Sequence, residues 1–155
     1  MQDGDGDRTI AVNRRARYDY ELGERFEAGL VLTGTEVKSL RAGKASLVEA
    51  WVKVDAAGEG WLMQSHIEEY RFGYQANHDP TRPRKLLLHR RELVELSRTV
   101  ARQGVSLIPT KLYFHDGKAK VQFAIARGKS KGDKRRAIAE REANREAQRA
   151  VKVRR

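Results

Sequence analysis

In residues 105–126, VSLIPTKLYFHDGKAKVQFAIA, the pair Asp116-Gly117 separates two runs of β-forming side chains. Asp-Gly suits the positive φ angles of a tight hairpin turn, which predicts strands over 105–114 and 119–126. In the second run Val121, Phe123 and Ile125 alternate with Lys120 and Gln122, so one face is expected buried and the other wet. Upstream, Val52 and Val54 alternate with Trp51 and Lys53, and a further strand over 61–67 follows the turn Ala56-Ala57-Gly58-Glu59-Gly60.

Helical signals are interleaved with these strands. Thr33-Gly34-Thr35-Glu36 has the form of a capping box, opening a helix through Val37 and Leu40 that Gly43 can close in a left-handed conformation. A longer helix is expected from His89 or Arg90 to Gln103, with Leu93, Leu96 and Val100 on one side and Gly104 at its end. The prolines of Asp79-Pro80-Thr81-Arg82-Pro83-Arg84 force an extended or turning approach to it. The fold class is therefore mainly β with helices, of the small-sheet kind that includes OB-like β-barrels, carrying two or three helices and no internal repeat.

A length of 155 residues suits one folded domain. The chain has 32 Lys and Arg against 21 Asp and Glu, a net charge of +11 that favours polyanionic partners. It has no cysteine, which excludes disulfides and thiolate chemistry. The longest apolar runs fall far short of a membrane span, and the acidic start, Met1 to Asp7, is unlike a secretory signal, so a cytoplasmic protein is expected. The charge is unevenly placed. Residues 129–155 carry eleven Lys and Arg against four Asp and Glu, a surplus of +7, leaving +4 for the first 128. All eleven aromatic residues precede that segment. The expected organisation is a flexible acidic N-terminus (1–8), a folded core (9–128) and a basic tail (129–155) that cannot bury enough surface to order itself alone. The tail nevertheless has helical periodicity, with Ala139, Ala143, Ala147 and Ala150 in a stripe and Asp133 placed as an N-cap, so it can fold against a partner. A solubilising extension without a specific partner is the competing reading.

Catalytic signals are missing from the pattern. His66, His78, His89 and His115 have no short metal-ligand spacing, the serines lack a nucleophile motif, and the Gly-rich turn lacks the Lys-Ser/Thr of a phosphate loop. No enzyme activity, cofactor, metal or small-molecule substrate is expected. Asn13-Arg14-Arg15-Ala16-Arg17-Tyr18-Asp19-Tyr20 has better chemistry, because arginines that pair phosphates alternate with tyrosines on which unpaired bases stack. Its alternative is an amphipathic turn with tyrosines in the core. Arg82, Arg84, Lys85, Arg90 and Arg91 form a second basic cluster, and Lys111, Lys118 and Lys120 a third. On charge and fold class alone, a general single-strand binder or ribosomal structural protein fits as well.

Five segments carry a resemblance: NRRAR at 13–17, FEAGL at 26–30, TGTEVKSLRAGK at 33–44, DPTR at 79–82 with RKLLL at 84–88, and DKR at 133–135. With these the sequence resembles the small protein B family, the SsrA-binding proteins of bacterial ribosome rescue. The resemblance implies an OB-like barrel that binds the tRNA-like part of transfer-messenger RNA and delivers it to stalled ribosomes for trans-translation. It implies an RNA-binding face including Asn13, Arg15, Tyr20, Glu27 and Leu87, with Lys120 beside them and Leu87 supporting the surface by packing. Arg17, Tyr18, Arg82, Lys85 and His89 complete the candidate RNA-binding set. It also implies that the tail becomes helical against small-subunit ribosomal RNA in the decoding region and empty messenger channel. There Asp133 would cap the helix, and Lys134, Arg135, Arg136, Arg141, Arg145 and Arg149 would face phosphates.

Overall fold

The computed structural model describes residues 7–129 and 131–153. In order the chain forms β1 (Arg8–Val12), α1 (Arg15–Asp19), β2 (Tyr20–Leu30), α2 (Gly34–Arg41), β3 (Ala45–Ser46), β4 (Trp51–Val54) and β5 (Gly60–Met63). There follow β6 (His66–Ile67), a 3-10 turn at Tyr74–Ala76, β7 (Arg84–Leu87), α3 (Arg90–Gln103), β8 (Ser106–His115), β9 (Lys118–Gly128) and α4 (Lys131–Val153). Among the described residues the protein is thus mainly β with four helices, one or two more than the sequence pattern indicated.

The hairpin forms as its turn chemistry dictates. Asp116 (φ 50°) and Gly117 (φ 75°) both take positive φ, and His115 pairs with Lys118 directly across the turn. Seven strands follow the order β1-β8-β4-β5-β7-β2-β9, and the additional β8–β9 pairing makes a circuit of β8, β4, β5, β7, β2 and β9. Phe26 on β2 opposes Phe123 on β9, their rings stacked at 5.5 Å, in a core shared with Ala28, Leu86, Leu112 and Val121. The alternation in β9 breaks at its end. Ala126 is buried on the expected wet face because α1 lies over it, packing Ala16 and Ile108 there.

One expectation needs correction. The strand over 61–67 is two strands, because Gln64 takes φ 57° and turns β6 away to pair with β3. Residues 1–6 of the expected flexible N-terminus lie outside the described residues, but Asp7 and Arg8 are anchored: Asp7 Oδ1 accepts from Asp116 N at 2.9 Å, and Arg8 Nη2 donates to Leu40 O at 3.0 Å. Residues 131–153, within the expected tail, form the helix α4. Its 23 residues exceed the roughly 12–15 that an isolated helix of good formers needs, and its Arg141 guanidinium lies 5.8 Å from the Tyr18 ring of α1. The alanine stripe at 139, 143 and 147 stays exposed.

Candidate nucleic-acid interface

β2 leads the chain from α1 at one end of the sheet to α2 at the other, and candidate residues lie along its whole length. Between the ends, strand register aligns two rows on the outer face. Leu87, Gly29, Lys120 and Tyr113 are successive partners across β7, β2, β9 and β8, and Glu27, Gln122 and Lys111 form the parallel row. Gly29 leaves the gap that Leu87 fills; a Cβ there would sit 3.4 Å from the Leu87 side chain. Leu87 is 57% exposed, so it presents an apolar surface to solvent rather than supporting the face from beneath. Glu27, also exposed, accepts a hydrogen bond from the Tyr113 hydroxyl. Partial burial, then this carboxylate, push the Tyr113 pKa well above its usual value, so the phenol remains a donor. Lys111 Nζ sits 5.0 Å over the same ring. Sequence reading singled out Glu27, Leu87 and Lys120, counted Lys111 only as charge, and missed Tyr113. The partner of Glu27 is 86 residues away, and no local periodicity reports such a pair.

At the α1 end the candidates divide. Asn13 is buried, not facing solvent: its N–H donates to Thr110 O at 2.8 Å, and Nδ2 donates to Pro109 O at 3.0 Å. Its Oδ1 is buried without a hydrogen-bond partner. Asn13 therefore ties the start of α1 to β8. Arg15 and Arg17 are exposed, Arg15 Nε lying 3.3 Å from Asp19 Oδ2 one turn on. Tyr20 is half-buried against the cluster of Ala16, Ile108 and Ala126, which limits the ring surface it can offer a base. Tyr18 is half-buried at a cleft of about 820 Å³ between α1 and α4, whose walls carry Arg14, Arg17, Lys129, Arg141 and Arg145. A second cleft, of about 830 Å³, lies between α1, β4 and α3 and exposes Trp51 and Val100.

At the α2 end one expected contact is already engaged. Thr33 N donates to Glu36 Oε1 at 2.8 Å, and Glu36 N donates to Thr33 Oγ1 at 3.4 Å, completing the capping box. The same buried carboxylate receives Arg82 Nη2 at 2.5 Å and Arg84 Nε at 2.7 Å. Arg84 is fully buried; its remaining donors reach Ser65 O, Pro80 O and Asp79 O at 2.7, 3.0 and 3.3 Å. Burial raises the Glu36 pKa, but hydrogen bonds from Arg82, Thr33 N–H and Arg84 outweigh it and hold the carboxyl down at about 2. Arg82 is thus an ion-pair partner of Glu36. Lys85, on the outer face of β7, lies 3.3 Å from Glu59 and is half-exposed. His89 is exposed at the N-cap of α3, where its N–H donates to Glu92 Oε1 at 3.2 Å.

In α4, Arg135, Arg141, Arg145 and Arg149 are exposed. Asp133, Lys134 and Arg136 fall within the helix, but their side chains lie outside the described residues.

A family model described as "SmpB protein" matches residues 10–153. The chain belongs to the SmpB family. The SsrA-binding protein of Thermobifida fusca is 57% identical over 152 residues, covering 98% of this chain and 94% of that one. That of Acidothermus cellulolyticus is 55% identical over 146 residues, covering 94% and 91%. A solved SmpB-family chain, described as "tmRNA-SmpB: a journey to the center of the bacterial ribosome", aligns with TM-score 0.65 at 47% identity over 82% of this chain and 92% of its own. Similarity to the SmpB family therefore spans the sheet from Ile10 onward and all four helices. Among the described residues no helix is long and apolar enough to cross a membrane.

Proposed function

We propose that this protein is a cytoplasmic, non-enzymatic RNA-binding adaptor that holds the tRNA-like part of transfer-messenger RNA and delivers it to stalled ribosomes for trans-translation. The observation that carries the reading is the outer sheet face. There a carboxylate, a phenol kept protonated, two lysines and an exposed leucine lie on four adjacent strands, β7, β2, β9 and β8. A phosphate-only surface has no use for Glu27, whereas a surface that reads 2′-hydroxyls or base amines does. The strand circuit is consistent with an OB-like barrel, the sheet form that often presents such a face. Family membership supports the partners, since the relatives are SsrA-binding proteins and the solved neighbour is described with transfer-messenger RNA and the ribosome.

The helix α4 is the ribosome-facing part of this proposal. Its exposed arginines at 135, 141, 145 and 149 suit phosphates lining the decoding region and empty messenger channel, with Asp133, Lys134 and Arg136 at the same helix start. Affinity for the tRNA-like RNA and for ordinary tRNA, measured at matched salt, tests the body. Preference for the former is expected; equal and steeply salt-dependent binding to both would reject specific recognition. Truncation after Gly128 tests the tail. It should leave RNA binding intact while abolishing rescue of stalled ribosomes, and rescue by the truncated chain would reject the division.

A further inference from the structure

The segment between β6 and β7 carries three aromatic rings, two of them strongly exposed: Phe72 at 58% and Tyr74 at 81%. Water disfavours such a display, and the backbone adds to its cost. Tyr74 has φ 48°, in the left-handed region where a bulky residue is an outlier, so the surrounding contacts must hold it there. They do. Asn77 Oδ1 accepts from Tyr70 N at 2.9 Å while Nδ2 donates to Tyr70 O at 2.7 Å, closing the loop like a clasp. Gly73 is required beneath it, because a Cβ there would meet the Asn77 amide at 2.7 Å. Tyr70 packs edge-on against Phe72 at 5.7 Å, Arg71 lies 5.4 Å from the Phe72 ring, and Lys38 of α2 lies 5.2 Å over Tyr70.

An exposed, strained and pinned set of rings flanked by cations has the chemistry of a stacking platform. Glu68 and Glu69 precede it, so net charge alone does not draw a polyanion to this loop; the ring surfaces must contribute. The loop also leads along the chain into the sheet. From Asn77 the chain passes the Glu36 cluster and enters β7, which places Leu87 beside Gly29. We propose that the 70–77 loop is a binding site for an unpaired nucleotide of the RNA held on the sheet face. Phe72 and Tyr74 supply the stacking surfaces, and Arg71 and Lys38 face its phosphates. This site rests on the RNA-adaptor reading and extends it to a second, stacking-based contact.

The test uses the full chain and two probes, the tRNA-like RNA and an unstructured RNA hexanucleotide, with binding followed by fluorescence anisotropy across a salt series. The double variant Phe72→Ala with Tyr74→Ala should bind both probes about tenfold or more weakly, with an unchanged salt slope. The ring-retaining pair Phe72→Tyr with Tyr74→Phe should stay within about twofold of the parent. Asn77→Ala, which opens the clasp without removing a ring, should fall between them. Unchanged affinity of the alanine pair for both probes, while Glu27→Gln weakens the tRNA-like RNA, would overturn the stacking site and leave the adaptor reading standing. Unchanged RNA affinity with lost ribosome binding would assign the loop to a protein partner and overturn it too. If the parent fails to prefer the tRNA-like RNA over ordinary tRNA, the adaptor reading fails; loss of hexanucleotide binding in the alanine pair would still uphold stacking.

Discussion

Glu27 and Glu36 are nine residues apart, at the middle of β2 and the start of α2, yet their surroundings are opposite. Glu36 is fully buried and spends both oxygens on Thr33, Arg82 and Arg84. Glu27 is exposed and holds only the Tyr113 hydroxyl among the bonds described for it. One carboxylate consumes two arginines to join α2 to β7; the other leaves its second oxygen available on a basic surface. Formal charge therefore does not identify the RNA-facing groups of this protein, but the degree to which each charge is already satisfied does.

The sharpest way to break this contrast is to neutralise each glutamate in turn. Glu36→Gln should cost about 3–5 kcal/mol of stability in urea unfolding, because Arg84 stays buried without its counter-ion. A loss below about 1 kcal/mol would show that the cluster does not hold the fold. The effect has a pH signature. Glu36 titrates at about 2 in the folded chain against 4.5 ordinarily. Its contribution is thus fully present above pH 4.5 and is lost as pH falls toward about 2. The stability gap between the parent and Glu36→Gln should narrow across that window, and a gap constant with pH would refute the assignment. Glu27→Gln should instead leave stability within about 0.5 kcal/mol while weakening the tRNA-like RNA by about 1.4 kcal/mol, or tenfold.

Smaller effects sharpen the same distinction. Tyr74→Gly should raise stability by about 1 kcal/mol in thermal unfolding, by releasing the left-handed strain, while lowering RNA affinity. A variant neutral in both would remove the argument from strain. Arg15→Ala should reduce the slope of log affinity against log salt by about one, with little change in stability. Tyr20→Ala should leave that slope unchanged, but its half-buried ring means that unfolding must be measured alongside. Equal slopes for the two variants would erase the difference between a phosphate contact and a packed ring.

What the sequence disclosed was local. Thr33 and Glu36 are three residues apart, Asp116-Gly117 is a turn in itself, and Gly104 closes α3 at φ 60°, so propensity and short-range bonding made each visible. The alanine spacing of α4 was visible in the same way. The rest depends on distance in the chain. Arg82 and Glu36 are 46 residues apart, and Asn13 bonds to a carbonyl 96 residues away, so the internal bonds of residues that look like phosphate or base contacts leave no local sign. The turn at Gln64 was hidden because a non-glycine residue with positive φ gives no compositional sign. The 70–77 loop passed unnoticed for a related reason, since its rings follow neither helical nor strand spacing.

The pairing of β2 with β9 also orders events during synthesis. Gly29 and Lys120 are partners, yet nearly the whole body of the protein is translated between them. Until β9 leaves the ribosome, β2 and β8 each expose an edge that β9 will cover, and the circuit stays open. Closing so long a loop is slow, because most of the intervening chain must be ordered before the contact is rewarded. Nascent chains arrested before Lys118 should remain sensitive to proteolysis throughout, whereas arrest far enough beyond Gly128 to expose β9 should confer protection in one step. Gradual protection along the series would show that the first strands fold without the last.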